Sequence, residues 1–224
     1  PNVGGIKQYL GPLVIAQKNK PVRMLFRNQL PKSNQTVTNG GFISSDTLGL
    51  PIDTTIMGAG MGSTMGVNYT DNRVSIPHLH GGHTPWISDG TTHQWITPQG
   101  DTTPYKKGVS FQNVPDMIGA GKSIPTPAAG DGLATTFYSN QQSGRLMFYH
   151  DHAWGITRLN VYAGVAAGYL LYDQVEADLI AGTNVSGVFT RMGIAPKQIL
   201  PDQNGLDNGT GLYHFGIPLV IQDK

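Results

Sequence analysis

Residues Arg145–His150 read RLMFYH, and Val165–Asp173 read VAAGYLLYD. RLMFYH is almost continuously apolar, as expected of a strand buried in the core of a β-sandwich. Earlier in the chain, Val22, Met24 and Phe26 alternate with Arg23, Leu25 and Arg27. That period of two marks a half-buried strand, which Pro31 stops. Further short strands are expected near Arg73–His80, at Gly108–Asn113 and at Ala134–Ser139. Between them, 34–72 and 84–107 read as loops; the first carries the glycine-rich runs GGFISSDTLGLP and MGAGMGSTMG, the second Trp86 and Trp95. Short strands separated by turn clusters predict an all-β sandwich or barrel with long loops.

The composition agrees. The chain has 224 residues, enough for a sizeable core, and only 13% are charged, while Gly (30) and Pro (15) are abundant. Helix bundles and coiled coils need more charges and fewer breakers. The net charge is +1, from 15 basic and 14 acidic residues, so the basic footprint of a nucleic-acid binder is missing. No apolar run approaches the roughly 18 residues of a membrane span. With no cysteine, disulfides, zinc-thiolate sites, iron–sulfur clusters and a thiol nucleophile are excluded within these residues. The opening PNVGGIKQYLG has neither the basic start nor the apolar core of a signal peptide.

After Asp173 the texture changes. VEADLIAG suits one or two helical turns, and Gly182–Gly211 is polar and rich in Gly, Asn, Pro and Asp. GIPLVIQDK then reads as a new strand with no partner in the sequence. The expected organisation is a domain over 1–173, a linker over 174–212 and the truncated start of a second domain over 213–224, because so long a connector is unusual inside one domain; the alternative is a C-terminal strand that folds back on the first sheet.

Four of the seven histidines form two His-x-His pairs, His78-Leu79-His80 and His150-Asp151-His152. In a strand, residues i and i+2 share a face, with Cα atoms roughly 6.5–7 Å apart. Two imidazoles so placed can converge on one ion or serve two neighbouring ions. Both pairs end strand-like runs, where a scaffold holds loop residues for function. Imidazole ligands suit zinc, copper, iron and nickel, and spacing alone does not choose among them.

The flanking residues do. PHLHGGHTPWISDG (Pro77–Gly90) and RLMFYHDHAWGITRLNVYAGVAAGYLLYD (Arg145–Asp173) resemble the amino-terminal domain of multicopper oxidases, nearest the bacterial laccase-like branch that includes spore-coat laccase, phenoxazinone synthase and manganese-oxidase-type enzymes. KPVRMLFRNQLP (Lys20–Pro31) resembles an early strand of that domain and GIPLVIQDK the opening of the next. The resemblance implies a cupredoxin-like, antiparallel Greek-key β-sandwich. It implies copper as cofactor: His78 on the type 2 ion, His80 and His150 on one type 3 ion, and His152 on the other. These four histidines would be half of a trinuclear site that reduces dioxygen to water. The other half, and the type 1 copper with its cysteine, would come from carboxy-terminal cupredoxin domains of the same polypeptide or a separate chain. The implied partners are therefore dioxygen, those domains, and a reducing substrate such as a phenol or a metal ion. The implied location is extracellular or periplasmic. Asp89 matches an acid that the family places near the type 2 copper, where it can relay protons; its plainer reading is a cap on the Ser88-Asp89-Gly90 turn.

Other candidates carry plainer readings. His83 follows two glycines and reads as a loop residue; His93 reads as a loop histidine near the cluster entrance, and His214 as ordinary. Asp151 must face away from ions held by its neighbours and is expected to pair with Arg158 or to make a turn contact. Tyr149 and Trp154 are expected to wall the site. Met57, Met61 and Met65 could bind copper(I), but glycines among them argue for a loop. Sequons at Asn34, Asn68, Asn184 and Asn208 matter only in a eukaryotic secretory pathway. Two further functions stay open: a zinc- or iron-dependent hydrolase using the His-x-His ligands, with Asp89 or Asp151 as its carboxylate, and a non-enzymatic copper-binding or structural cupredoxin.

Overall fold

The computed structural model describes residues 2–3, 6–7, 9–30, 36–37, 42–44, 51–53, 55–60, 69, 72–111, 132–200 and 219–221. Met61, Met65, His214, Asn34, Asn68 and Asn208, most of the 34–72 loop, and most of GIPLVIQDK lie outside them. In chain order the strands are β1 (Asn2–Val3), β2 (Ile6–Lys7), β3 (Val14–Gln17), β4 (Val22–Arg27), β5 (Thr36–Val37), β6 (Phe42–Ser44), β7 (Pro51–Asp53), β8 (Val74–Ser75), β9 (His78–His80), β10 (Trp95–Ile96), β11 (Leu133–Tyr138), β12 (Arg145–His150) and β13 (Ala166–Tyr172). The helices are α1 (Thr157–Tyr162), α2 (Gln174–Ala181) and α3 (Val188–Met192).

The principal sheet has the order β3-β13-β12-β9. A β4–β11 ribbon, with Tyr138 opposite Val22 and Leu133 opposite Arg27, forms the facing layer. Val22, Met24 and Tyr138 from the ribbon pack on Ala16, Leu79, Met147, Tyr149, Ala167, Tyr169 and Leu171 of the sheet. The core therefore lies between two layers, as the alternation in VRMLFR requires.

Several expectations change. RLMFYH is not a strand buried on both faces: Met147 and Tyr149 enter the core, whereas Leu146 and Phe148 remain 50% and 47% exposed. Apolar composition hid a period of two that only the facing layer reveals. The sheet is not wholly antiparallel, since β13 and β3 run parallel, Tyr169 beside Val14. The run Arg73–His80 is two strands, broken at Ile76-Pro77 because proline lacks the N–H that a ladder needs. Its halves take different partners, β8 with β10 and β9 with β12. The stretch read as loop over 84–107 contains β10, whose Trp95 and Ile96 are buried. The described part of Gly108–Asn113 is a single 3-10 turn at Val109–Phe111, not a strand.

The helical reading after Asp173 holds. Asp173 caps α2 by accepting from Val175 N and Glu176 N. The polar stretch that follows contains α3, whose Val188 and Phe189 are buried. Asp178, itself buried, ties the two helices by accepting from Thr183 Oγ1 (2.6 Å) and Ser186 N (2.6 Å).

Candidate metal centre

The break at Pro77 creates the site. Tyr138 Oη donates to the Pro77 carbonyl (2.9 Å), holding the kink, and β9 then pairs with β12. The register places His150 opposite His78 and Phe148 opposite His80. Because i and i+2 share a face, His78 and His80 on one strand meet His150 and Phe148 on the next.

The rings gather as the spacing predicts. From His78, the ring centroids of His80, His150 and His152 lie 5.6, 5.3 and 5.1 Å away. One ring nitrogen each from His78, His80 and His150 falls within 4.8 Å of the other two. His152 stands beside this group, its ring 5.5 Å from that of His150.

Hydrogen bonds set which nitrogens face inward. His78 Nδ1 donates to the Asp89 carbonyl (2.6 Å), and His150 Nδ1 to the Asp151 carbonyl (2.6 Å). A carbonyl only accepts, so both Nδ1 atoms carry a proton, and in the neutral imidazole Nε2 is then the lone-pair nitrogen. His80 Nδ1 faces His150 Nε2 at 3.3 Å. His152 Nδ1 is buried without a hydrogen-bond partner. Burial lowers the pKa of His150, and the other imidazoles act in the same sense against its bond to Asp151. That favours the neutral form, the one that binds metal. One ring nitrogen from each of three imidazoles, beside a fourth ring with an orphaned nitrogen, fits a site for borderline or soft cations.

The His-Asp-His turn is fastened from beneath. Asp151 is fully buried and accepts from Ser75 N (2.6 Å), Ala153 N (2.9 Å) and the Asn160 side chain. Ser75 Oγ in turn accepts from His152 N (2.6 Å). Of the two expected uses, the turn contact is made, through Ala153 N, and the pairing with Arg158 is not. Arg158 is exposed, and the cation near Asp151 is the buried Arg73, which donates to the carbonyls of Gly58 (2.6 Å) and Trp154 (2.9 Å). Burial pushes the Asp151 carboxyl up to about 6, against these hydrogen bonds and Arg73.

Asp89 ends the 3-10 turn Trp86–Ser88. Its Oδ1 accepts from Thr84 Oγ1 (2.7 Å) and lies 3.7 Å from His78 Nδ1. It thus sits behind His78, with its carbonyl orienting the ring. His83 is a loop residue, its N–H bonded to Gln142 Oε1 (2.7 Å). His93 packs edge-on against Trp154, ring centroids 5.0 Å apart. Trp154 belongs to the cluster of Tyr69, Trp95 and Ile156. Tyr149 does not wall the site: it points into the core on the opposite face of β12 and donates to the Pro12 carbonyl (2.7 Å). Met57 is an exposed turn residue.

Sequence reasoning missed Arg73, Ser75, Gln142 and Phe148. A polar Arg-x-Ser on one strand face just before Pro-His-Leu-His was a usable signal for the first two. Gln142 and Phe148 carry no signal until the register is known.

No family model matches the chain. A laccase of Bacillus subtilis (strain 168) is 30% identical over 176 residues, covering 75% of this chain and 25% of that protein. Multicopper oxidase LPR1 homolog 1 of Oryza sativa subsp. japonica is 28% identical over 227 residues, 96% of this chain and 31% of its own length. A laccase structure from Pediococcus acidilactici aligns with 77% of this chain and 22% of that one, at 14% identity and a TM-score of 0.42. The chain spans between a quarter and a third of the length of these two curated relatives. By its similarity to the Bacillus subtilis laccase the chain belongs to the multicopper oxidase family, and its described elements are mostly strands with few helices.

Proposed function

We propose that this chain is the amino-terminal part of a laccase-like multicopper oxidase and supplies half of its trinuclear copper site. The observation that carries the proposal is the convergence of one nitrogen each from His78, His80 and His150, with His152 beside them. On this reading His78 serves the type 2 copper, His80 and His150 one type 3 copper, and His152 the other. Copper, when bound, supplies single-electron steps by which dioxygen is reduced to water.

The chain's own residues orient and proton-load that centre. The Asp89 and Asp151 carbonyls fix the rings of His78 and His150, and Ser75 fixes the turn that carries His152. Asp89 relays protons from its place behind His78, with the Thr84 hydroxyl as its hydrogen-bond partner.

The remaining ligands and the type 1 copper belong to further cupredoxin domains, consistent with relatives of which this chain covers 25% and 31%. We assign 1–173 to the amino-terminal domain, 174–212 to a connector that includes α2 and α3, and 213–224 to the start of the next domain. The reducing substrate, a phenol or a metal ion, meets the type 1 copper, and the protein works outside the cytoplasm. A hydrolase reading gains no support, because no carboxylate joins the three-histidine group among the described residues.

Metal analysis of the intact protein tests this reading. Copper that falls when His78 or His150 is replaced by alanine is the expected result. Stoichiometric zinc with hydrolytic activity overturns it.

A further inference from the structure

We infer that Phe148 is a positioning residue for the metal-ligand rings, an inference that rests on the proposed copper site. Its ring stacks on His80 with centroids 4.7 Å apart and planes 15° from parallel. The same ring lies 5.3 Å from His150 at 24°. Both contacts follow from the register. Phe148 is the direct cross-strand partner of His80 and stands two residues before His150 on one face.

A metal-binding imidazole ordinarily has its second nitrogen held by a hydrogen bond, which sets ring orientation. His78 and His150 have that support from backbone carbonyls. His80 has no such carbonyl: among the described residues its ring makes one hydrogen-bond contact, from Nδ1 to His150 Nε2 at 3.3 Å, and His150 is itself a candidate ligand. The flat face of Phe148 supplies the missing constraint. It restricts rotation of His80 and keeps Nδ1 opposite His150 Nε2. The Phe148 side chain is 47% exposed on the outer sheet face, where it also lines an apolar pocket with Leu13, Leu146 and Val220.

Two variants in the intact protein test this, Phe148→Leu, which keeps apolar bulk, and Phe148→Tyr, which keeps the ring. Copper(II) alone is titrated against each in competition with a chelator. The leucine variant is expected to raise the dissociation constant about tenfold, the lower end of the usual effect of disturbing a ligand's support. Its melting temperature should stay at the parent value, and the tyrosine variant should bind like the parent. Parent-like binding by the leucine variant, or equal weakening by both, overturns the inference.

A second arm needs no metal. In the copper-free protein the ring protons of His80 should be shifted by the Phe148 ring current and should move on substitution by leucine. No movement overturns the inference. Should the parent take up no copper, the proposed function fails, while this arm still decides the role of Phe148.

Discussion

The backbone N–H of His152 donates to Ser75 Oγ at 2.6 Å, and the Ser75 N–H donates to Asp151 Oδ2 at the same distance. One residue of β8 therefore fastens two consecutive residues of the histidine turn. Ser75→Ala keeps the second bond and removes the first. The N–H of His152 then loses its acceptor, which costs about 1–3 kcal/mol where such a group is buried. The expected outcome is a loss of that size in urea unfolding, with less copper retained on dialysis. Unchanged stability would show that water takes the place of the hydroxyl.

Arg73 lies fully buried against the carbonyls of Gly58 and Trp154 and over the rings of Tyr69 (4.9 Å) and Trp95 (5.6 Å). Arg73→Met leaves Asp151 buried without its neighbouring cation. It also strips the buried carbonyls of Gly58 and Trp154 of their donor, at about 1–3 kcal/mol for each left unsatisfied. Arg73→Lys should restore little, because a point charge on a flexible stem does not reproduce the planar fork. Denaturant unfolding of both variants checks this, and a loss below about 1 kcal/mol for the methionine variant would contradict it.

Gly90 follows Asp89 at φ +69°, and a Cβ there would meet the carbonyl oxygen of Ile76 and, at 2.7 Å, His78 N. Gly90→Ala should cost more than the about 1–2 kcal/mol of a left-handed non-glycine residue, because the strand leading into His78 must also move. Thermal unfolding reads the stability loss, and copper titration reads the displacement of His78.

Asp173 and Asp178 give the structure an acid-sensitive limb. Burial raises both pKa values. Hydrogen bonds outweigh it and lower them: from Gly144, Glu176 and Val175 to Asp173, and from Ser186, Thr183 and Gln174 to Asp178. Their folded pKa values therefore lie below the unfolded value of about 3.9. Such groups add stability that is present above the unfolded pKa and lost as pH falls through the folded one. Asp178→Asn should have its largest melting-temperature deficit above about pH 5, narrowing below about pH 4. A deficit that stays constant with pH would show that the carboxylate's charge is not involved.

The proposed function predicts that His80→Ala in the intact protein abolishes dioxygen consumption while substrate still reduces the proposed type 1 copper. Oxygen uptake and visible absorbance read the two halves separately. Loss of the blue absorbance would contradict the division of labour between domains.

The gathering of the imidazoles was largely legible in the sequence. Two His-x-His pairs at strand ends announced clustered imidazoles, and the structure gathers them. Asp89 was legible as a neighbour of His78, though its carbonyl, not its carboxylate, holds the ring. The strand of VRMLFR could be read because polar and apolar residues alternate there. The outward face of RLMFYH could not be, because Leu146 and Phe148 are apolar like the residues that enter the core.

What the chain's own order of residues determined was local and periodic: the shared face of each histidine pair, the proline break, the aspartate cap of α2. What only the tertiary structure decided was long-range: that His150 stands opposite His78, that Arg73 and Ser75 lie beneath the turn of His152, and that Phe148 covers His80. Register between strands about 70 residues apart depends on the packing of the two layers, and no short window of sequence contains both partners.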